Sequence, residues 1–347
     1  MFRFKPALSA KIYSNNAAET VKNFALIKFP VLCSPKMDGI RLLEYNMGFV
    51  TRSLKAVRNH HVRELTREFA AVSKEAGMRG GDGEICVGEP HHPNVMQHTT
   101  SGIMSGEGQP DFGLYMFDSY QNSNEPFVKR LESVRRLHDK LGERFPWFKY
   151  VDHVLIHNME QLIEYENLCL AAGYEGIMLR DPAGRYKMGR STMREGILMA
   201  LKRFTDDEAI ILEHHEELEN TNEGIENALG HLERSSHAEN LVPKGRMGTM
   251  LAKSLRFEKT FFLGGGIGVT HGFRQAIWDN PQDFQWKLCV YSYQDIGIRE
   301  RPRLSKWKSW RSWDDIDAER KAALLHQAGQ WIFSGKGRSA LNGPPPG

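Results

Sequence analysis

Cysteine is scarce in this sequence: Cys33, Cys86, Cys169 and Cys289 are the four present, far apart and without a C-x-x-C pair. That spacing signals neither a disulfide framework nor a zinc site, and the four read as buried or incidental thiols. No apolar stretch approaches the roughly 20 residues needed to span a bilayer. The amino-terminal MFRFKPALSAKIYSNN lacks the apolar run and small-residue cleavage site of a secretory signal. A cytoplasmic protein with no membrane attachment is therefore expected. A strong charge of one sign is missing too: the net charge of +3 neither demands nor excludes a polyanionic partner. No internal repeat is found.

With 347 residues, 40% of them apolar and 26% charged, the chain has the balance of a soluble globular protein with room for two cores. The first two hundred residues mix short β-rich runs with amphipathic helices, which predicts an α+β domain of antiparallel sheets and helices over 1–203. VLCSPKMDGIRLLEYN and FVTRS read as strands turning at Asn46, Met47 and Gly48, with the glycine supplying the positive φ of a tight hairpin. Val62, Leu65, Phe69 and Val72 recur at helical spacing after the cap candidate Asn59, and Gly77 stops that helix. A second helix is predicted near Glu125 to Phe145, with Phe127, Leu131, Val134, Leu137 and Leu141 on one face, and a third near Glu160 to Ala172. GDGEICVG, FGLYMFDSY and YEGIMLRDP are strand candidates between them.

After Phe204 the texture changes to short apolar runs between glycine-rich or polar turns, EAIILEHH, GTMLAKSLRF, TFFLGGGIG and WKLCVYSY, which predicts a small β-barrel over 204–313. Glu216 to Arg246 is polar and reads as a long exposed loop. The segment 314–347 reads as a helical tail, disordered at its end SGKGRSALNGPPPG. From Arg299 to Arg311 the chain sets Arg299, Arg301, Arg303, Lys306, Lys308 and Arg311 against one acid, Glu300, with Trp307 and Trp310 interleaved. That run is a candidate phosphate-binding surface.

The sharpest feature is the hexapeptide Lys36-Met37-Asp38-Gly39-Ile40-Arg41, K-x-D-G-x-R, leaving a strand. A nucleophilic lysine must be neutral, yet a reference pKa of about 10.4 leaves about one part in a few thousand uncharged near pH 7. Neighbouring cations or a bound metal are expected to lower it. Gly39 is read as letting backbone approach a ligand, and Arg41 as a bidentate holder of phosphate or carboxylate. The bland counterpart is a charged turn with Lys36 in solvent.

K-x-D-G-x-R resembles motif I of the covalent nucleotidyltransferases, the superfamily of ATP-dependent DNA ligases, RNA ligases and mRNA capping enzymes. Asp82-Gly83-Glu84 resembles motif III, Leu114 to Asp118 motif IIIa, Glu175-Gly176-Ile177-Met178 motif IV, Gly196 to Phe204 motif V, and Pro302 to Arg311 motif VI, in family order. The closest resemblance is to small bacteriophage ATP-dependent DNA ligases. It implies a nucleotidyltransferase (adenylation) domain followed by an OB-fold, a monomer acting with ATP and Mg²⁺ on nicked duplex DNA in the host bacterial cytoplasm, and an OB-fold swinging about a hinge near Arg203 to Thr205. By this resemblance Lys36 is the nucleophile and AMP acceptor and Lys202 acts on the α-phosphate. Ser34, Arg41, Glu84 and Phe117 complete the ATP site, with Phe117 on adenine; Glu175 and Glu84 take the metal. Alone, Glu84 or Glu175 would read as a solvated carboxylate and Phe117 as core; their order along the chain is what singles them out.

Thr51-Arg52-Ser53-Leu54-Lys55 resembles the S-R-x-x-K element of DNA ligases that reaches the nick 5′-phosphate, so Arg52 and Lys55 are expected on nucleic acid, with Arg234, Arg303, Lys308 and Arg311. Gly264 to Gly268 lacks the G-K-[ST] ending and following helix of a P-loop and reads as a barrel turn. Two other readings share the motifs: a capping-type guanylyltransferase and a catalytically impaired nucleic-acid-binding protein. An NAD-dependent ligase is disfavoured for want of its extra amino-terminal domain and Cys₄ finger, and no added DNA-binding, BRCT or nuclease domain is seen. One departure stands out: motif V usually carries K-x-K, and Ala200 stands where the first lysine belongs, leaving Lys202. Losing such a cation costs roughly a hundred- to a thousandfold elsewhere, with Arg203 or another basic residue as compensator. Adenylation is predicted to be impaired but present, and Ala200→Lys to raise turnover; turnover unchanged by that substitution would refute it.

Overall fold

The computed structural model describes residues 4–14, 17–46, 48–266, 268–294 and 300–332. The chain divides into two compact units, Met1–Arg203 with Glu226–His231, and Phe204–Ile225 with Leu232–Gly347. In chain order the first unit carries β1 (Ala7–Leu8), β2 (Ala10–Lys11), α1 (Ala17–Ala25), β3 (Val31–Pro35), β4 (Ile40–Tyr45), β5 (Gly48–Thr51), α2 (His60–Glu75), β6 (Gly81–Val87), α3 (Val95–Met104), β7 (Phe112–Ser119), α4 (Phe127–Leu141), β8 (Phe148–Tyr150), β9 (Val154–Ile156), α5 (Met159–Ala171), β10 (Ile177–Arg180), β11 (Gly189–Arg190) and β12 (Leu198–Leu201).

Two five-stranded sheets organise this unit among the described residues, in the orders β2-β12-β10-β3-β9 and β5-β4-β6-β7-β8. Alternation assigns each strand its two faces. Val31, Cys33, Ile177, Leu179, Met199 and Leu201 enter one core with Leu162 and Cys169 of α5. Leu42, Ile85, Leu114 and Met116 enter another with Phe69 of α2, Ile103 of α3 and Val134 and Leu137 of α4. The predicted helix of Val62, Phe69 and their neighbours is α2; Asn59 caps it by accepting from the Val62 N–H at 2.9 Å. The cap residue is itself buried, and its amide donates to the carbonyls of Gly102, Glu107 and Gly108, so a local helix signal also anchors the loop after α3. The β4–β5 hairpin forms as expected, but the positive φ sits on Asn46, at 51°, and Gly48 opens β5. Asparagine tolerates that region, which relieves the glycine of the task; Met47 lies outside the described residues.

The second unit carries β13 (Thr205–Asn220), β14 (Gly224–Glu226, whose last residue falls in the first unit), β15 (Leu232–Arg234), β16 (Leu241–Lys253), β17 (Phe261–Leu263), α6 (His271–Asp279), β18 (Leu288–Gln294), β19 (Arg303–Arg311) and α7 (Ala318–Trp331). Its antiparallel sheet has the order β17-β16-β13-β18-β19. No ladder closes the edges β17 and β19 among the described residues, so the pairing gives an open five-stranded sheet and does not by itself establish the predicted small β-barrel. Ala209 to Leu212 are all buried because the sheet is covered on both faces there, which is why β13 carries a continuous apolar run at those positions. α7 covers one of those faces with Leu324, Ala328 and Trp331, so the predicted tail is packed helix as far as it is described; its end, 333–347, lies outside the described residues.

The loop predicted from Glu216 to Arg246 is in fact strand at both ends. Leu218, Glu219 and Asn220 of β13 pair with Pro243, Val242 and Leu241 of β16. Leu218 and Val242 are each 49% exposed. With no face buried, nothing imposes the apolar alternation by which a strand is read, and the ladder is held instead by backbone pairing and by Glu217 gripping Arg246 at 2.9 and 3.0 Å.

Asp118 is the buried charge on which three elements of the first unit meet. It accepts from Arg130 Nε of α4 at 2.8 Å and from Arg180 Nη1 of β10 at 2.6 Å, with all three side chains almost wholly buried. Removing one partner of a buried pair strands the other. Asp118→Ala should lower stability by about 3–5 kcal/mol, measured by urea unfolding followed at the first unit's tryptophan, Trp147; a loss below about 1 kcal/mol would show that Arg130 and Arg180 re-solvate freely.

Candidate active site

Lys36 follows β3 directly and extends its pairing toward β10. Its N–H donates to the Gly176 carbonyl at 2.8 Å, and the Glu175 N–H donates back to the Lys36 carbonyl at 3.1 Å. Gly176 is required there: its φ is 146°, and a Cβ would stand 2.2 Å from the Leu201 carbonyl oxygen. This short ladder sets Glu175 beside Lys36 although they are distant in sequence. The Glu175 carboxylate is almost fully buried and receives the Lys36 ammonium on Oε2 and the Lys202 ammonium on Oε1.

Burial pulls the Lys36 pKa down, but Glu175, with Glu84 and Asp38 behind it, outweighs burial and holds it above the ordinary lysine value. Burial pushes Glu175 up, yet the two ammonium groups bring it to about 2. The expected lowering of the lysine is therefore reversed in this state. The cause is the single buried carboxylate between two cations: it stabilises the charged form of each.

Arg41, Glu84 and Phe117 come from the other sheet. Arg41 and Glu84 are register partners on β4 and β6. The Arg41 guanidinium is held bidentately by the fully buried Asp82, Nε to Oδ1 at 2.6 Å and Nη2 to Oδ2 at 2.5 Å, and also donates to the Ala7 carbonyl; Tyr186 donates to the same Asp82 at 2.7 Å. Arg41 is thus a braced wall, with most of its donors committed. Phe117 is the extra residue of a β-bulge, since Asp82 pairs with Asp118 and Gly83 with Met116. Such a bulge re-aims a side chain, and the Phe117 ring lies 5.3 Å from the guanidinium carbons of both Arg41 and Arg180. Burial raises Glu84 to about 7 against the opposing pull of Lys36 and Arg41. Gly39 lets β6 approach closely, since a Cβ there would lie 2.3 Å from the Ile85 carbonyl oxygen.

Between the two sheets lies a cavity of about 370 Å³, a size suited to a small-molecule site, with Ser34, Lys36, Arg41, Glu84 and Phe117 on its walls. Lys202 reaches the cluster through Glu175. Sequence reasoning missed Lys11, Met178, Arg180 and Arg190, which also line it. Met178 and Arg180 alternate with the buried Ile177 and Leu179, a signal present in IMLR, whereas β2 is too short for any periodicity to mark Lys11. Arg52 lines this cavity and a second one of about 310 Å³ that shares Arg41 and Glu84. Lys55 is exposed at the end of the same turn, its carbonyl accepting from the Thr51 N–H at 2.8 Å.

The remaining basic candidates lie in the second unit. Lys308 is paired with Asp206 at 2.5 Å, Arg311 with Glu208, Arg303 sits opposite Gln294 in the β18–β19 ladder, and Arg234 donates to the Asn222 carbonyl. Trp307 is buried in the core and Trp310 packs against it, so the interleaved tryptophans of this strand serve packing and not a ligand surface. Arg299 lies outside the described residues.

No group of three or more His, Cys, Asp or Glu side chains is gathered to cage a metal among the described residues. Mg²⁺ does not require one, since it takes one or two carboxylates and completes its octahedron with phosphate oxygens and water. Glu175 and Glu84, both acting electrostatically on Lys36, fit that mode.

Two sheets enclosing a cavity with a buried lysine–carboxylate–lysine cluster define a nucleotidyltransferase-like domain. The chain belongs to the ATP-dependent DNA ligase family, matching its "ATP dependent DNA ligase domain" over residues 8–195. Its activity is ATP-dependent joining of DNA. The fold is similar to that of a solved structure named Pmar-Lig_PreS3, at 18% identity over 90% of this chain and 68% of that one, with a TM-score of 0.66. It is similar as well to a structure from a structure-function study of Lig E DNA ligases, at 19% identity over 88% and 99% with a TM-score of 0.63. Against Chlorella virus DNA ligase-adenylate the identity is 26% over 90% and 99% of the two chains, and the TM-score is 0.48. No curated protein matches the chain.

Glu175→Gln removes the charge that keeps Lys36 protonated, so the Lys36 pKa should fall. The pH dependence of Lys36 acylation by an amine-reactive reagent, read by peptide mass spectrometry, should then have its midpoint at lower pH; an unmoved midpoint would refute control by Glu175.

Proposed function

We propose that this ligase seals 5′-phosphate/3′-hydroxyl nicks in duplex DNA through a lysyl-AMP on Lys36 and an adenylated DNA intermediate. The observation that carries the reading is the convergence of Lys36, which lines the cavity between the sheets, and Lys202 on the buried Glu175 carboxylate. In the first step the neutral Lys36 Nζ attacks the α-phosphorus of ATP. A P–N bond forms, the P–O bond to pyrophosphate breaks, and the lysine proton leaves to solvent or to a carboxylate. The nick 5′-phosphate oxygen then takes AMP from Lys36, and the 3′-hydroxyl oxygen displaces AMP to form the phosphodiester. These are transfers in which positioning and charge do most of the work.

The ion pair to Glu175 is the obstacle to the first step, because the protonated amine has no lone pair. Glu175 and Glu84 would hold Mg²⁺, which would supply positive charge beside the phosphates. Lys202 lies beside the nucleophile for the α-phosphate, Ser34 and Arg41 shape the floor and wall of the pocket, and Phe117 offers ring surface to adenine. Arg52 supports a link to the second step, since it borders both cavities, with Lys55 at the outer end of its turn.

An OB-type barrel in the second unit, acting on duplex DNA with Arg234, Arg303, Lys308 and Arg311, is part of the same proposal. It is supported by the approach of the sheet edges: Trp307 N–H donates to the Gly265 carbonyl at 2.9 Å and Ser305 Oγ to the Phe262 carbonyl at 2.9 Å. Because Lys308 and Arg311 are paired with Asp206 and Glu208, phosphate must compete with those carboxylates for them. We place the protein in the cytoplasm of a phage-infected bacterium, acting as a monomer in repair, replication or recombination.

The test is incubation of the purified chain with Mg²⁺ and α-labelled ATP or GTP. Label should appear from ATP, be absent in Lys36→Ala, and pass to a nicked duplex that becomes sealed. Label from GTP alone, or label retained in Lys36→Ala, would overturn the proposal.

A further inference from the structure

Leu54 has a φ of 59°, in the left-handed region that a bulky side chain rarely occupies. The cause is the turn that ends β5. The Leu54 N–H donates to the Thr51 carbonyl at 2.8 Å, the Thr51 N–H donates to the Lys55 carbonyl at 2.8 Å, and Val50 bridges to Ala56 beyond them. Arg52, Ser53 and Leu54 thereby make a three-residue hairpin loop, whose common form is a turn followed by one left-handed residue. Glycine or asparagine suits that last position. Before β5, where Asn46 has a φ of 51°, the chain follows the preference; at position 54 it does not. Backbone outliers of this kind cluster at sites that bind ligands.

The loop borders the site. Thr51 pairs with Leu42, the residue after Arg41 on β4. Arg52 lines both cavities, and Thr51 and Ser53 line the smaller one with Arg41 and Glu84, their hydroxyls 3.1 Å apart. Leu54 is half-buried and is not among the residues lining either cavity. Its contribution there is the course of the chain: without a left-handed residue at this point Lys55 would not return its carbonyl to Thr51, and the loop carrying Arg52 would open. We propose that Leu54 is a positioning residue for the transfer of AMP to the nick, its left-handed backbone closing the loop that aims Arg52 at the cavities. The proposal rests on the nick-sealing reading above, in which Arg52 serves the second step.

Two substitutions separate backbone conformation from apolar contact. Leu54→Ile keeps the atoms of the side chain but moves the branch to Cβ, which opposes the left-handed region. Leu54→Asn removes the apolar surface and tolerates that region. Wild type, both variants, Arg52→Ala and Leu54→Ile/Arg52→Ala are compared by single-turnover formation of lysyl-AMP, by single-turnover transfer of AMP from the adenylated protein to a nicked duplex, and by thermal unfolding. Leu54→Ile should slow the transfer by about tenfold, inside the hundredfold that a misplaced group can cost, and leave lysyl-AMP formation unchanged. Leu54→Asn should transfer at close to the wild-type rate. Adding Leu54→Ile to Arg52→Ala should cost little more than Arg52→Ala alone, since residues that act through one another are not additive. Transfer unchanged in Leu54→Ile, transfer slowed in Leu54→Asn, additive losses in the double variant or equal slowing of lysyl-AMP formation would each overturn the inference. If Leu54→Ile does not fold, the rate of Leu54→Asn decides it. Wild-type transfer in Arg52→Ala would overturn the role of Arg52 and that of Leu54 with it, whereas a wild-type chain that forms no lysyl-AMP would overturn the nick-sealing reading itself.

Discussion

A single buried carboxylate, Glu175, between the ammonium groups of Lys36 and Lys202 is the interaction on which the site depends. It costs desolvation of three charges, and within a low-dielectric pocket its mutual attraction is strong enough to hold the carboxylate near 2 and the lysine protonated. The backbone pairing of Lys36 with Glu175 and Gly176 keeps the members of the cluster together.

Around this cluster the protein repeats one device. Asp82 braces Arg41 and Tyr186, Asp118 braces Arg130 and Arg180, and Glu166 braces Arg203. Each buried acid fixes guanidinium or hydroxyl groups from separate strands and helices, so the two sheets present rigid cationic walls to the cavity. Rigidity has a cost in available charge: a cation held by a carboxylate attracts phosphate less.

Motif I could be read directly because its residues are consecutive and their spacing is local. The helices of Phe69, Val134 and Leu162 were legible for the same reason, as apolar positions recur on one face. α3 was missed, since VMQHTTSGIM offers little contrast between faces and its cap residue Asn94 makes no capping bond. The arm of β13 and β16 was missed because both its faces meet solvent. The bulge that re-aims Phe117 and the parallel pairing that brings Lys11 beside Ala200 leave no trace in composition or periodicity, because each depends on which strand lies next to which.

The sequence by itself determined the order of the motifs, the helical faces and the family, all properties of residues near one another along the chain or of fixed residue types in fixed order. Tertiary structure alone decided the protonation of Lys36, the commitment of Arg41 to Asp82, the pairing of Lys308 and Arg311 with acids, and the presence of Lys11 on the cavity wall. Those depend on distances between residues far apart in the chain. A Coulomb interaction or a desolvation cost is fixed by separation and burial in space, which sequence spacing does not encode.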